Sequence, residues 1–385
     1  MAKVPDIRFQ NFSCEWEECT FGDKLLALPY KQFIKQPEVN GTFPVIQQGD
    51  VPVLGFANGE PISQYEDKVV FGDHTVSLYK PTSPFFVATD GLRIFSIKDF
   101  PQSFLYAMFE KYKPKSHGYT RHTSYLNEST IKYPRNTEEK KVIGDFFKTF
   151  DDLISSKQLE LDMRRQMKAS LFEKMFPVDG ETSPQIRFEG FKDPWKKVAL
   201  GRMGNTYTGL SGKSKEDFGH GKAKYITYMN VFSSTVASYS GTDFIEIDSK
   251  QNQVKYGDVL FTTSSETPDE VGMSSIWLYE EENVYLNSFC FGYRPTTKVY
   301  PYYLAYALKS PRIRQNFYLL AQGISRFNIS KQKAMEIELD IPNYDEQQKV
   351  GDFFLELDKA ISALAEQITK LKIMKQALLM KMFVM

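Results

Sequence analysis

The 385-residue sequence predicts an α+β fold. Two mainly-β domains are joined by two long helices that form an antiparallel coiled coil, arranged as a pseudo-twofold internal repeat. Three observations carry that expectation. A long helical stretch occurs twice. A short opening segment also occurs twice. Each opening and helix brackets an insert of short β-like runs broken by turn residues. A chain with an internal repeat is read as two copies of one unit before anything else.

The helical stretches are residues 138–176 and 345–383, which align without a gap at an offset of 207 (351 − 144). They share Glu139/Glu346, the run Gly144-Asp145-Phe146-Phe147 against Gly351-Asp352-Phe353-Phe354, and Asp151/Asp358. They also share Met167/Met374, Lys168/Lys375, and Lys174-Met175-Phe176 against Lys381-Met382-Phe383. The opening segments, 7–22 and 186–201, share Ile7/Ile186, Arg8/Arg187, Phe9/Phe188, Phe12/Phe191, Trp16/Trp195 and Gly22/Gly201 at an offset of 179 (186 − 7). The second middle is thus 28 residues longer (207 − 179). The expected domains are 1–135, a central long helix at 136–177, a second domain at 178–342 and a C-terminal long helix at 343–385.

Taken in order, the first insert (about 23–133) alternates β-like runs with turns at Gly49-Asp50, Asn58-Gly59, Gly72-Asp73 and Asp90-Gly91. A helix is expected at Gln102–Lys113, where Leu105, Met108 and Phe109 share a face. A basic loop, KPKSHGYTRHTSYL, follows. The second insert (about 202–341) repeats the order: strands, then helices from Tyr302 to Leu308 and after Pro311 to Ala321, then GISRFNIS. Gly118-Tyr119-Thr120-Arg121 is matched by Gly323-Ile324-Ser325-Arg326.

Each long helix opens with an Asn three residues before a Glu, at Asn136/Glu139 and Asn343/Glu346. That is an N-cap followed by a capping-box-like acid. In the second helix Phe354, Leu357, Ile361, Leu364, Ile368, Leu371, Lys375, Leu378 and Met382 follow 3-4 spacing, a coiled-coil seam. The first helix has Phe147, Phe150, Ile154, Lys157, Leu161, Arg164, Lys168, Leu171 and Met175 there. Neither seam is stable alone in water, and the obvious partner of each is the other. A rod of about 58 Å follows from 1.5 Å per residue. Two equal units with antiparallel helices hold their inserts at opposite ends. That shape suits a two-headed reader of duplex DNA or a two-armed protein scaffold.

Composition narrows this less than the repeat does. Lys plus Arg and Asp plus Glu both number 48, so bulk charge names no partner. No apolar run approaches the roughly 20 residues that span a bilayer, and MAKVPDIRFQ lacks the apolar core of a signal peptide. Only Cys14, Cys19 and Cys290 are present, which fits a reducing, cytoplasmic setting; no second pair completes a metal site with Cys14 and Cys19. Local charge is uneven. Residues 283–335 contain no Asp or Glu but carry Arg294, Lys298, Lys309, Arg312, Arg314, Arg326, Lys331 and Lys333, interleaved with tyrosines. Such segments suit phosphate and base-edge contact, and a solvated basic face is the plain alternative.

Catalytic signals are weak. Gly209-Leu210-Ser211-Gly212-Lys213-Ser214 resembles a phosphate loop, but Tyr207 stands where its first Gly is required. A flexible loop beside a ligand backbone remains. His74 beside Asp73 reads as a structural or polar contact before it reads as a base. No nucleophile elbow or zinc-protease motif occurs.

The quoted stretches resemble the specificity (S) subunit of type I restriction-modification systems. The residues that carry the resemblance are GISRFNIS (323–330), PNYDEQQKVGDFFLELDKAI (342–361), LLMKMF (378–383) and the central EEKKVIGDFFKTFDDLI (138–154). It implies two target-recognition domains, each reading half of a split double-stranded DNA sequence, with the spacer set by the coiled coil. It implies docking of two methyltransferase subunits, then restriction subunits, and no catalysis in this chain. S-adenosylmethionine, ATP and Mg would belong to those partners. One departure is Lys157 and Arg164, where the second seam has Leu364 and Leu371. By position, Tyr119, Arg121 and His122 in the first domain and Ser325, Arg326 and Asn328 in the second are expected near DNA. Gln47, Gln48, His74, Thr75, Ser211, Lys213, Thr262 and Thr263 are further candidates. The rival of another class is a two-armed protein-interaction scaffold that does not bind DNA.

Overall fold

The computed structural model describes residues 4–118 and 120–384. It divides into two compact units cut within the long helices: 1–160 with 364–385, and 161–363. Each unit therefore contains one sheet-rich domain and a segment of both long helices.

In the first unit, β1 (Glu17–Thr20) pairs antiparallel with β9 (Thr130–Tyr133), which closes the domain by bringing its two chain ends together. A four-stranded sheet runs in the order β2 (Leu26–Ala27), β8 (Leu92–Ser96), β5 (Val69–Gly72), β6 (Leu78–Tyr79). A three-stranded sheet runs β4 (Val53–Ala57), β3 (Phe43–Ile46), β7 (Phe86–Val87), with β3 parallel to β7. Helix α1 (Gln102–Tyr112) buries Phe104, Leu105, Met108 and Phe109 against Phe71 and Phe95, the face its 3-4 spacing dictates. The short α2 (Thr123–Glu128) leads into β9. The long helix α3 (Thr137–Lys174) follows.

The second unit repeats this plan. β10 (Lys196–Ala199) pairs antiparallel with β20 (Glu338–Ile341). The short α4 (Leu200–Met203) precedes a sheet in the order β11 (Gly204–Thr208), β18 (Cys290–Pro295), β14 (Val259–Thr262), β16 (Ser274–Ile276). A second sheet runs β13 (Thr242–Ile245), β12 (Phe218–Ile226), β17 (Val284–Leu286). A two-stranded ribbon pairs β15 (Ser264–Ser265) with β19 (Phe327–Asn328). Helices α5 (Tyr228–Ser233), α6 (Pro301–Ala307), α7 (Pro311–Leu320) and α8 (Lys331–Met335) cover them. The long helix α9 spans Tyr344–Met382.

The repeated residues perform the same task in each unit. Arg8 forks onto Glu139 through Nε (2.7 Å) and Nη2 (2.9 Å). Arg187 forks onto Glu346 at 2.6 and 2.8 Å. The acid expected in a capping box is therefore spent on an arginine, because the I-R-F segment lies against the helix start. The caps themselves form: Asn136 Oδ1 accepts from the Glu138 N–H, and Asn343 Oδ1 from the Glu346 N–H. Gly144 and Gly351 permit close packing. A Cβ on Gly144 would stand 2.6 Å from the Phe104 nitrogen, and one on Gly351 would stand 2.7 Å from the Tyr303 nitrogen. The last shared residue plugs each core. Phe383 packs on Trp16, Phe104 and Phe147 at 5.8–6.0 Å. Phe176 packs on Trp195, Tyr303 and Phe354 at 6.0–6.3 Å.

Within each unit the two long helices run antiparallel. In the first, Asp151 pairs with Lys375 (2.5 Å) and Lys157 donates to Gln367 (2.9 Å). In the second, Lys168 pairs with Asp358 (2.5 Å) and Phe172 stacks edge-on to Phe354. The 3-4 positions are buried or half-buried along both helices: Phe147, Leu161, Met175, Phe354, Leu364, Ile368 and Met382 are buried, and Phe150, Ile154, Leu171, Leu357, Ile361, Leu371 and Leu378 are half-buried. Lys168 and Lys375, polar seam positions in the sequence, are accommodated by Asp358 and Asp151. Among the described residues, no helix is long and apolar enough to cross a membrane. Cys14, Cys19 and Cys290 are free thiols.

Candidate nucleic-acid interface

In the first unit two turns and one loop converge. The His74 N–H donates to Gln48 Oε1 (3.2 Å), and the Gly49 N–H donates to Ser77 Oγ (2.9 Å). These bonds tie the β3–β4 turn to the β5–β6 turn. The basic loop joins through Asp73, whose carboxylate accepts from the Thr123 N–H (2.8 Å) and hydroxyl (2.6 Å). Burial works to raise the Asp73 pKa. The two Thr123 bonds and Arg93, 3.1 Å from Oδ2 without hydrogen-bond geometry, hold it below the usual carboxylate range. The cluster presents Thr75 and Arg121 exposed, and His74, Gln47 and Gln48 half-buried. His74 Nδ1 lies 3.2 Å from the Thr120 carbonyl.

His122 is a correction. It is fully buried. Its Nε2 accepts from the His117 N–H (3.0 Å), so Nδ1 carries the proton and donates to the Asp73 carbonyl (3.0 Å). Its role is to shape the loop that carries Arg121. Tyr119 lies outside the described residues.

In the second unit the matching loop is a β-hairpin. Gln322 and Asn328 exchange backbone bonds at 2.9 Å, and β19 pairs with β15. Gly323 is required at the turn: its φ is +149°, and a Cβ there would stand 2.0 Å from the Arg326 carbonyl oxygen. Ser325, Arg326 and Asn328 are exposed, and Ile324 at the tip is 98% exposed. The hairpin borders a cleft of about 320 Å³ with Tyr228, Phe289, Glu266 and Glu270 among its walls. The Tyr228 hydroxyl donates to the Ser264 carbonyl (2.7 Å), which fixes one wall. Sequence reasoning found this loop but neither its hairpin form nor these wall residues, which come from three distant segments.

Other expectations are revised here. Thr262 is buried, and its hydroxyl accepts from the Met273 N–H (3.0 Å), because it sits inside the central strand β14. Thr263 is half-buried beside it, its N–H donating to the Phe289 carbonyl. Lys213 is engaged by Asp248 (2.8 Å), and the Ser211 N–H donates to Gln251, so this loop is tied to the 248–251 turn. The acid-free basic stretch is mostly consumed internally. Arg294 forks onto Asp258, Arg312 pairs with Asp340, and Arg314 donates to the carbonyls of Asp269, Val271 and Gly272. Lys309 is half-buried against the Ser234 carbonyl, and desolvation pushes its pKa down to about 8, with Lys168 and Arg314 adding to the shift. Among the described residues, Arg326 has no carboxylate partner. Nor does any group of three or more His, Cys, Asp or Glu stand where it could hold a metal.

Comparison with known proteins bears on this arrangement. Residues 192–372 match the family model of the type I restriction modification DNA specificity domain. The putative type I restriction enzyme MjaX specificity subunit of Methanocaldococcus jannaschii is 23% identical over 182 residues. That match covers 46% of this chain and 42% of that relative, so it spans less than half of the relative's length. Among solved structures, the type I restriction-modification S subunit from M. genitalium superposes with a TM-score of 0.63 at 16% identity, covering 99% of each chain. A chain from a type I R-M system, solved for its complex assembly and conformational transition, gives a TM-score of 0.53 at 14% identity, covering 94% of this chain and 96% of that one. At these identities the structural likeness speaks to the fold.

Proposed function

We propose that this chain belongs to the type I restriction-modification DNA specificity family and is a sequence-specific DNA-recognition subunit that reads a split target. Each sheet-rich domain reads one half, and the long helices set the spacer. The observation that carries this reading is the duplication of a polar loop cluster on a duplicated clamp. Each domain is held to its helix by the same Arg–Glu fork, and each carries a Gly-x-[Ser/Thr]-Arg sequence ahead of its closing strand. Arg326 and Arg121 are exposed on those loops, free to donate to guanine or phosphate.

The chain performs no chemistry of its own in this reading. Methylation and cleavage belong to docked methyltransferase and restriction subunits, which hold S-adenosylmethionine, ATP and Mg, and the assembly works in the cytoplasm. Met167 and Met374, equivalent residues of the two long helices and both about half exposed, are the repeated apolar points on their outer faces and suit two equal docking contacts. Arg326→Ala tests the DNA reading. Gel-shift affinity of the assembled complex for duplex DNA should fall about tenfold or more, with unchanged thermal stability and methyltransferase co-purification. Unchanged affinity and salt dependence would remove Arg326 from the interface. The absence of any duplex binding by the wild-type complex would leave the scaffold reading.

A further inference from the structure

The cleft beside Arg326 carries the wrong charge for a phosphate. Glu266 and Glu270 border it together with Arg326, and Tyr228, Met229 and Phe289 supply apolar walls. Glu266 is exposed, and Glu270 is half-buried with one oxygen accepting from the buried Ser265 hydroxyl (3.1 Å). A carboxylate held against a polyanion is repelled unless it accepts a hydrogen bond that the ligand alone can donate. In the major groove those donors are the exocyclic amines, cytosine N4 and adenine N6. An arginine offers only donors, and guanine O6 and N7 are the acceptors it matches with two bonds. A C·G pair presents both sets side by side on one edge. Glu270 and Arg326 line the same cleft as Tyr228, whose pKa is raised first by burial, with Glu270 adding to the rise and Arg326 opposing it.

We propose that this cleft reads a C·G base pair in the second half of the target. Glu270 accepts from cytosine N4 while Arg326 donates to the guanine edge. The Ser265 bond fixes the carboxylate, and Phe289 and Met229, 56% and 60% exposed, are available to cover the pair and exclude water. The inference rests on the DNA-recognition reading and names which base pair this domain selects.

The test is a binding selection on randomised duplexes with the full chain assembled with its methyltransferase. The wild type should prefer C·G at one position of one half-site by about tenfold or more. Glu270→Gln should lose that preference and admit A·T there, since a glutamine side chain matches adenine N6 and N7, while the other half-site stays unchanged. Arg326→Gln, a change at an exposed side chain, should alter the same position. Preferences unchanged in both variants, or weakening equal across all sequences, would overturn the proposal. A wild-type complex that binds every duplex alike would instead contradict the DNA-recognition reading, so the two failures are distinguishable.

Discussion

Glu139 and Glu346 are 1% and 0% exposed, yet each is a carboxylate. They persist because Arg8 and Arg187 fork onto them, and the same bonds, opposed by burial, raise the arginine pKa values. Removing one partner leaves a buried charge uncompensated, at about 3–5 kcal/mol. Arg187→Ala should therefore lower chemical-denaturation stability by an amount of that order, and Arg187→Ala with Glu346→Gln should recover part of it. Equal stability of the single variant and wild type would deny the fork its role. Lys309 makes the opposite case. Its folded pKa, about 8, lies below the unfolded value near 10.4. The unfolded chain binds the proton more tightly between these values, so this residue's contribution to stability rises with pH through that window. Below pH 8 the fold bears the cost of charging it, about 3 kcal/mol. Lys309→Met should be stabilised relative to wild type at pH 7, with the gap narrowing toward pH 10.5 in thermal melts. A gap independent of pH would contradict the burial account.

The long helices were the most legible elements, because a 3-4 apolar period over many turns has few other meanings. The start caps were legible for the same local reason: Asn136 and Asn343 bond N–H groups two or three residues away. What failed was whatever depended on distant partners. The recurrence of Arg8 and Arg187 was visible, but their acids lie 131 and 159 residues along the chain. The basic stretch looked like a nucleic-acid face until Asp258 and Asp340 neutralised Arg294 and Arg312. His122 and Thr262 were expected near DNA because nothing local marks a loop or strand residue as turned inward. The polar seam positions were likewise visible without their purpose. Lys375 is 4% exposed and meets both Asp151 and Glu110, whereas the Lys168 side chain keeps 27% exposure. A paired polar residue in a seam specifies register. Lys375→Met should accordingly cost several times more stability than Lys168→Met, measured by denaturant midpoint. Equal losses would mean that burial does not set the cost.

At the scale of the whole chain, duplication is the organising fact. Two inserts of different length sit on equivalent clamps, so recognition can diverge between domains while the helix repeat stays fixed. The first unit presents Thr75, His74, Gln48 and Arg121; the second presents a hairpin with Arg326 beside a cleft holding Glu266 and Glu270. Different side chains on equivalent platforms should read different bases. The most direct measurement is a base-resolution map of DNA methylation in cells carrying this chain with the methyltransferase proposed as its partner, compared with cells lacking the chain. The account expects a split motif, two unlike half-sites separated by a constant number of unspecified base pairs, that disappears without the chain. Methylation that persists without it, or a continuous motif with no spacer, would contradict the account.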